Sequence, residues 1–292
     1  MDRFVDLTLS GISDGAVYAA VALSLVLIWR STRIVNFAQS AMLMVTTFVA
    51  WSVVHNGGSY WLALLAAIGS GLVLGAVVER LLIRPVEGGP PLNAVIVCLG
   101  VLVFLEAAAG MVYGGSPRSF APDFDIRGYV VSGRRVLFSP ADAFTVGAVL
   151  VLMLGLGLLF TRTSVGLRMR AAAFAPEVAR MNGVRVGRTL TLGWALATAV
   201  GALAGVLVAP STFVGPTQFE AVLVFGFTAA VIGGLESPVG AVVGGVLLGL
   251  ALSYVSGYAG SDVVTFGSLS ILVAVLMVRP NGIFASSGRR RV

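Results

Sequence analysis

The chain has 292 residues, of which 58% are hydrophobic and only 11% are charged, and its mean hydropathy is +0.98. Several uninterrupted apolar runs approach the roughly 20 residues that a helix needs to cross a hydrocarbon core about 30 Å thick. A single cysteine and a single histidine exclude an internal disulfide and a Cys/His metal site. This composition predicts an all-α polytopic integral membrane protein with one transmembrane domain over residues 1–292.

The charge is strongly basic, because arginine supplies all 19 basic residues and the formal net charge is +6. In so apolar a chain, this excess indicates the positive-inside rule, by which basic loops stay in the cytoplasm. The sequence contains no basic domain outside the membrane and no recognition module for nucleic acid. We therefore expect contact with membrane lipid and none with nucleic acid.

In chain order, the predicted helices cover 11–30, 36–54, 60–83, 92–113, 140–160, 189–209, 219–234, 238–257 and 262–279. The Arg-rich connections lie at 30–33, 80–84, 162–188 and 288–292. A cytoplasmic location for all of them requires nine crossings with the N-terminus outside and the C-terminus inside. If 36–54 is a re-entrant segment, the number is eight and the N-terminus lies inside.

The connection 114–139 is predicted to form a short external hairpin. Hydrophobic and polar residues alternate in YVVSGRRVLF, and the central Ser-Gly pair is typical of a tight turn. Four arginines in this loop conflict with the positive-inside assignment, although two aspartates accompany them.

Two similar triplets of helices predict an internal repeat. The three helices between 11 and 83 end in LLIRP, and the three helices between 219 and 279 end in LMVRP. By the predicted topology both triplets run in the same direction, so the repeat is expected to be parallel. Chance similarity between short apolar motifs is the alternative.

Each triplet contains a polar break, which is a candidate for a transport pathway or a gate. VNFAQSA places Asn36, Gln39 and Ser40 in the first break, and GGLESPVGA places Glu236 and Ser237 in the second. Membranes tolerate broken helices where the freed backbone groups meet protein or water, and transporters place substrate sites there. An ordinary turn between two helices is the alternative for each break.

Two glutamates stand out at the apolar segments. Glu106 lies inside CLGVLVFLEAAAGMVYG, and because a carboxylate in hydrocarbon is costly, it is a pathway or gate candidate, with a structural contact as the alternative. Glu79 is followed by Arg80 near a helix end, which favours an interfacial ion pair between these two residues.

The insert RAAAFAPEVARMNGVRVGRT (170–189) holds five charged groups in this apolar chain. Pro176 fits the first position of a helix of about two turns, and Gly183 fits the position just past its end. So short a helix is marginal alone and needs a surface to pack against.

The residues of this short helix separate into two faces. Phe174, Val178 and Met181 fall at i, i+4 and i+7 and predict one apolar face, from which Glu177 and Arg180 point away. The insert is either a basic amphipathic segment on anionic lipid or a helix that docks in a groove of a cytoplasmic partner.

No catalytic motif is found. The sequence lacks G-x-S-x-G, H-E-x-x-H and the Walker A pattern, so we expect neither catalysis, nor a cofactor, nor ATP binding of the P-loop type. Any energy for transport must come from an ion gradient or from a partner.

Several stretches are recognisable together. The run R-x-x-A-x-x-P-E-x-A-R-M-N-G-V (170–184) is followed by GWALATAVGALAGVLVAP. Further stretches are GAVYAAVALSLVLIWRSTRIVNFAQSAMLM (15–44), ERLLIRPVEGGPPLNAVIVCLG (79–100), AAVIGGLESPVGAVVGGVLLGL (229–250) and VRPNGIF (278–284). In this order they resemble the permeases of the ATP-binding cassette (ABC) importers for branched-chain amino acids, in particular the LivH-like membrane subunits.

The resemblance implies a subunit of the bacterial cytoplasmic (inner) membrane that forms the pathway for branched-chain or related small amino acids by alternating access. It implies two cytoplasmic ATPases, a second permease (LivM-like or a second copy) and an extracytoplasmic substrate-binding protein. ATP hydrolysis then belongs to the partners. The loop 161–188 is expected to carry the coupling helix that docks on an ATPase, formed by Phe174, Pro176, Glu177, Val178, Arg180, Met181, Asn182 and Gly183.

The first break departs from the pattern of the family it resembles. Family members usually carry N-F-A-H-G-E, whereas this chain has NFAQSA at 36–41. The missing His and Glu leave urea, short amides or another small solute as alternatives within the same class of importer. An ion-coupled carrier or channel that acts without ATPases is the alternative from a different class.

Overall fold

The computed structural model describes residues 2–120, 122–131, 134–136, 138–279 and 282–284. In this part of the chain almost all regular structure is helical, which confirms the predicted all-α polytopic membrane protein. The helices are α1 Asp2–Thr32, α2 Gln39–His55, α3 Tyr60–Val78, α4 Pro91–Tyr113, α5 Pro140–Arg162, α6 Ser164–Phe174, α7 Pro176–Met181, α8 Val186–Thr212, α9 Glu220–Gly233, α10 Pro238–Ala259 and α11 Val264–Val278.

Each predicted apolar segment forms a helix. Among the described residues, seven helical stretches are long and apolar enough to cross a membrane: Arg3–Thr32, Tyr60–Val86, Leu92–Tyr113, Pro140–Arg162, Val186–Thr212, Pro238–Ala259 and Ser261–Val278. At a rise of about 1.5 Å per residue, the 17 residues of α2 and the 14 residues of α9 are shorter than a hydrocarbon core of about 30 Å. The number of crossings, the side on which each end lies and the repeat stay predictions.

Helices α1 and α8 form the centre of the bundle. In each of them 83% of the most apolar window is buried, against 17% in α4 and α5 and 6% in the span that contains α11. Because the outer helices are among the most apolar, their exposed faces are suited to lipid or to another membrane subunit.

Close packing between α1 and α10 depends on glycine. A Cβ atom added to Gly249 would lie 2.4 Å from the carbonyl oxygen of Gly11 and 2.4 Å from the Cα atom of Gly15. A Cβ atom on Gly245 would lie 2.5 Å from the backbone nitrogen of Ala19. These contacts make α1 and α10 antiparallel neighbours whose backbones approach closely because the residues between them are small.

The bundle has two distinct ends. At one end Arg33, which follows α1, pairs with Glu236 before α10, close to α6 and α7. At the other end the hydroxyl of Ser13 donates to Asp142 Oδ1 over 2.6 Å, near the connection 114–139. We call these the α7 end and the hairpin end.

Two short strands pair where the hairpin is predicted, while its external location stays a prediction. Strands β1 Val130–Val131 and β2 Arg134–Arg135 pair antiparallel, and the Tyr129 N–H donates to the Phe138 carbonyl over 3.0 Å. The basic tail 288–292 and Pro280, which closes the second Arg-Pro motif, lie outside the described residues.

Candidate functional site

The short helix of the insert has the ends that the sequence predicts. α7 has Pro176 in its first turn and ends at Met181. Gly183 follows with a φ of +79°, a left-handed conformation that glycine adopts without strain. Its N–H donates to the Arg180 carbonyl over 3.0 Å, and the Asn182 side-chain amide donates to the Val178 carbonyl over 2.8 Å.

A second helix, α6, precedes α7 and was not predicted. The chain bends at Ala175, with φ −144° and ψ 80°, because a residue before proline is driven out of the helical region. Phe174 therefore ends α6, so its predicted place on one helical face with Val178 and Met181 is wrong. The signal for α6 was Thr163, whose Oγ1 accepts the Gly166 N–H over 3.1 Å as an N-cap.

The insert presents apolar side chains to its surroundings. The exposed fractions of Phe174, Val178 and Met181 are 92%, 57% and 87%. Glu177 and Arg180 are exposed between them. Exposed hydrophobic groups of this size at the tip of a loop are typical of a protein contact surface. We call these five residues the α7 surface.

A small apolar cluster attaches the α7 surface to the bundle. Ala179, the buried residue of α7, packs with Ala172 of α6 and with Val186 and Leu190 of α8. The cluster therefore connects α7 with α6 and with α8, which runs through the centre of the bundle.

An ion pair between a buried carboxylate and a partly exposed arginine fixes the end of α3 beside the start of α8. Glu79 is 1% exposed, and its carboxylate accepts bonds from Arg84 Nε over 3.1 Å and Arg84 Nη2 over 3.0 Å. The hydroxyl of Thr191 also donates to Glu79 Oε2 over 2.7 Å. The predicted pair between Glu79 and Arg80 is therefore wrong, since a π turn over Glu79–Ile83 brings Arg84 to the carboxylate instead.

A groove of about 820 Å³ runs between this ion pair and α7. Its walls are Arg84, Glu87, Gly88, Ala175, Pro176, Glu177, Val178 and Arg180. Burial, together with the nearby Glu79 carboxylate, raises the pKa of Glu87. The groove thus combines both signs of charge with the apolar side chain of Val178, which suits a polypeptide partner.

The first break lies inside the bundle. Asn36, Gln39 and Ser40 are at most 3% exposed. The Asn36 amide donates to Gln39 Oε1 over 3.0 Å, and Asn36 Oδ1 accepts the Ala38 N–H over 3.0 Å. Gln39 Nε2 and Ser40 Oγ have no hydrogen-bond partner among the described residues. These two atoms are the hydrogen-bonding groups that this break leaves for water or for a solute.

The second break lies against the first. Gly234 turns the chain after α9 with a φ of +95°, and the Ser237 hydroxyl accepts the Gly240 N–H over 2.9 Å as the N-cap of α10. Ser237 thus has a structural bond, whereas Glu236 forms an ion pair with Arg33. Both side chains of this pair are 53% exposed. The structure therefore joins the two predicted breaks through Glu236 and Arg33.

Glu106 lies apart from both breaks. Its Oε1 atom is buried in α4 without a hydrogen-bond partner in the described part of the chain. The carboxylate of Glu220, at the start of α9, repels the carboxylate of Glu106 electrostatically. No described hydrogen bond or ion pair connects Glu106 with the residues of either break.

Sequence reasoning missed a cavity at the hairpin end. It has a volume of about 410 Å³ between α1, α5, α8 and α9 and contains the carboxylates of Asp14 and Asp142. Asp142 forms a capping box with Ser139 at the start of α5. Asp14, an acidic residue inside the first apolar span, was the available signal. No cluster that could hold a metal ion occurs among the described residues.

Comparisons with known proteins agree on one family. The model of the family "Branched-chain amino acid transport system / permease component" matches residues 7–278. The permease LivH of the high-affinity branched-chain amino acid transport system of Escherichia coli K12 is 28% identical over 96% of this chain and 95% of its own. The permease BraD of Pseudomonas aeruginosa is also 28% identical, with the same two coverages.

Among solved structures, PsaBC from Streptococcus pneumoniae in complex with Fab is similar, with a TM-score of 0.48 and 15% identity over 96% of this chain and 91% of that chain. The family match runs from α1 to the end of α11 and includes both breaks, α7 and every long span. The chain therefore belongs to the family of permease components of branched-chain amino acid transport systems, and it is a multi-pass transport subunit of the cytoplasmic (inner) membrane.

Proposed function

We propose that this chain is the membrane-spanning permease of an ABC importer and forms the pathway for branched-chain or related small amino acids. Family membership and the names of LivH and BraD support the substrate class. The observation that carries the proposal is the α7 surface, which exposes apolar and charged side chains on α7 and at the end of α6, next to the central helix α8.

The proposed partners are two cytoplasmic ATPases, a second permease and an extracytoplasmic substrate-binding protein. The sequence has no Walker A motif, so ATP hydrolysis belongs to the ATPases, each of which holds an α7 surface. The second permease is LivM-like or a second copy of this chain. It covers part of the apolar surface that α4, α5 and α11 expose.

The structure suggests how motion at α7 reaches the pathway. When ATP closes the paired ATPases, they press on α7, and the cluster around Ala179 passes the motion to α8. Further along α8, Cβ atoms on Gly201 and Gly205 would lie 2.4 Å from Gln39 Nε2 and from Thr47 Oγ1 of α2. Since not even a Cβ atom fits between α8 and α2 at these two positions, the helices are in direct contact, and a movement of α8 displaces α2.

The two breaks then open and close the pathway by alternating access. In the described arrangement Asn36, Gln39 and Ser40 are buried, and Arg33 and Glu236 link the breaks at the α7 end. Movement of α2 against α10 separates that ion pair and exposes the polar groups of the first break. These groups carry no charge, so they suit weak and transient contact, while affinity resides in the binding protein.

The coupling step is tested by replacing charges on α7. In proteoliposomes that hold the permease with its ATPases and binding protein, we expect Glu177→Ala with Arg180→Ala to reduce leucine uptake at least tenfold. ATP hydrolysis should lose its stimulation by the loaded binding protein, while the amount of permease in the membrane stays constant. The reason is that the substitutions remove two exposed side chains from the docking helix.

A matched control removes one acid and one base at the hairpin end. Asp262→Ala with Arg127→Ala changes two exposed residues far from α7 and should leave uptake unaltered. If the α7 variant transports leucine as fast as the unmodified complex, the coupling assignment is wrong.

The solute and the class of transporter are tested in the same proteoliposomes. Uptake of labelled leucine should require ATP and all partners, and it should be inhibited by excess isoleucine and valine but not by urea or acetamide. Inhibition by urea or acetamide alone would assign the chain to another solute of the same importer class. Uphill uptake by the permease without ATPases would instead show an ion-coupled carrier.

A further inference from the structure

A basic pocket opens at the α7 end between α1, α5 and α6. Its volume is about 410 Å³, and three arginines, Arg30, Arg33 and Arg170, line it. They come from the end of α1, from the turn after it and from α6. We call this cavity the arginine pocket. It is separate from the groove beside α7 and from the buried polar groups of the first break.

The positive charge of the arginine pocket is not balanced by the described chain. Glu236 is the one carboxylate in its lining, and it is engaged with Arg33. Arg33 and Arg170 both lie close enough to Arg30 to repel its positive charge. Neither Arg30 nor Arg170 forms an ion pair in the part of the chain that the structure describes. Three like charges around one cavity create an electrostatic site for an anion.

The lower walls of the arginine pocket are apolar. Leu27 lies about one helical turn deeper in α1 than Arg30, and Phe160 lies near the end of α5, where its ring faces the Arg30 guanidinium at 5.6 Å. Met169 and Phe174 complete the apolar lining. Since α1 and α5 are both spans, the arginines lie where the hydrocarbon core meets the headgroup layer.

We propose that the arginine pocket binds a phosphate group, with Arg30 and Arg170 as its principal ligands. Guanidinium groups match phosphate oxygens with paired hydrogen bonds, and Arg30 and Arg170 are without a carboxylate partner among the described residues. The phosphate group belongs to an anionic phospholipid or to a free phosphate. The apolar walls favour the phospholipid, whose acyl chains would lie along Leu27 and Phe160.

A bound phosphate group would connect α1 with α6. Because α6 continues into α7 and shares its apolar cluster, the ligand would hold the α7 surface in a fixed position relative to α1. This goes beyond the proposed transport function and does not depend on which solute is carried.

The proposal is tested with the full-length chain in a mild detergent. The midpoint of thermal unfolding is followed while phosphatidylglycerol, phosphatidylcholine or inorganic phosphate is added, and an apparent dissociation constant is taken from each titration. We expect phosphatidylglycerol to raise the midpoint and zwitterionic phosphatidylcholine to leave it unchanged. Stabilisation by inorganic phosphate at equal or lower concentration would identify free phosphate as the ligand.

Single substitutions locate the site. Arg30→Gln and Arg170→Gln should each weaken phosphatidylglycerol binding by about tenfold or more, since each removes a charge-assisted hydrogen bond. Glu236→Gln should strengthen binding, because it removes the carboxylate that engages Arg33. These variants should unfold at the midpoint of the unmodified chain in phosphatidylcholine alone, which shows that they are folded.

A variant at the same end distinguishes binding in the arginine pocket from a general attraction of anionic lipid to basic residues. Arg185 is exposed and lies outside the arginine pocket, so Arg185→Gln should bind phosphatidylglycerol like the unmodified chain. Equal weakening in Arg185→Gln and Arg30→Gln would overturn the proposal, as would a titration in which neither phosphatidylglycerol nor phosphate raises the midpoint.

Discussion

The buried carboxylate of Glu79 depends on a single cation. Arg84 binds it through two nitrogen atoms that form three hydrogen bonds, and Thr191 adds a fourth. Loss of one partner from a buried ion pair leaves the other charge without compensation. We therefore expect Arg84→Met to reduce the free energy of unfolding in mixed micelles by about 3 kcal/mol.

Two variants test the cause of that loss. Arg80→Met removes an exposed neighbouring arginine and should change the free energy of unfolding by less than about 0.5 kcal/mol. Adding Glu79→Gln to Arg84→Met should restore part of the stability, because the unpaired charge is gone. If Arg80→Met is as destabilising as Arg84→Met, the described pairing is incorrect.

At the residue scale, sequence reasoning succeeded where the rule was local. Pro176 and Gly183 mark the ends of α7 because each acts through its own backbone conformation. The partner of Glu79 was wrong, because the π turn shifts the chain register and brings Arg84 rather than Arg80 to the carboxylate. Adjacency in the sequence carries no information about such a turn.

At the scale of helices, the contact between α1 and α10 is sensitive to added volume. Gly249→Ala would place a methyl group 2.4 Å from backbone atoms of Gly11 and Gly15, which cannot move aside as a flexible side chain does. We expect this substitution to reduce the free energy of unfolding by about 1–3 kcal/mol through overpacking.

The matched control is a glycine on an outer helix. A Cβ atom on Gly155 of α5 meets no atom within 4 Å. Gly155→Ala should therefore leave the stability unchanged or raise it by up to about 1 kcal/mol, since alanine favours helix more than glycine does. Destabilisation of both variants to the same degree would contradict the close approach of α1 and α10.

The helices themselves were predictable, because twenty apolar residues in a row have few alternatives. The sequence did not lead us to divide the insert into α6 and α7. Pro176 drives the backbone of Ala175 out of the helical region, and this ends α6 one residue earlier. The sequence also does not indicate which helices occupy the centre of the bundle. α1 and α8 are no more apolar than the outer helices, and tertiary packing alone makes them central.

At the scale of the whole molecule, transport requires the two breaks to move relative to each other. Arg33→Cys with Glu236→Cys, joined by a short bismaleimide, should hold the breaks together and stop leucine uptake in the complete transporter. Each single variant should retain uptake after the same treatment. Cys98 is 1% exposed, so the reagent should not label it.

A cross-link between helices that stay together is the control. Thr8 and Tyr254 join α1 to α10 at the hairpin end, where their oxygen atoms lie 2.8 Å apart. Thr8→Cys with Tyr254→Cys, joined in the same way, should preserve uptake. Full uptake by the cross-linked Arg33→Cys, Glu236→Cys variant would show that the breaks do not separate during transport.

The arrangement of the two breaks could be predicted only in part. Polar residues in two corresponding positions indicated Asn36, Gln39 and Glu236 as candidates. The ion pair from Glu236 to Arg33 links residues about 200 positions apart, and hydropathy contains no signal for such a contact. Ser237 was chosen for its polarity, but the same hydroxyl is required as a helix cap.

The length of α8 has a mechanical consequence. Its 27 residues extend about 40 Å, roughly 10 Å more than the hydrocarbon core, and the basic residues Arg185 and Arg188 lie at its α7 end. The helix is thus long enough to extend beyond the hydrocarbon core, which places α7 at the level of the lipid headgroups. In a thicker bilayer the projecting turns would sink toward the lipid, so membrane thickness determines how far α7 stands from the surface.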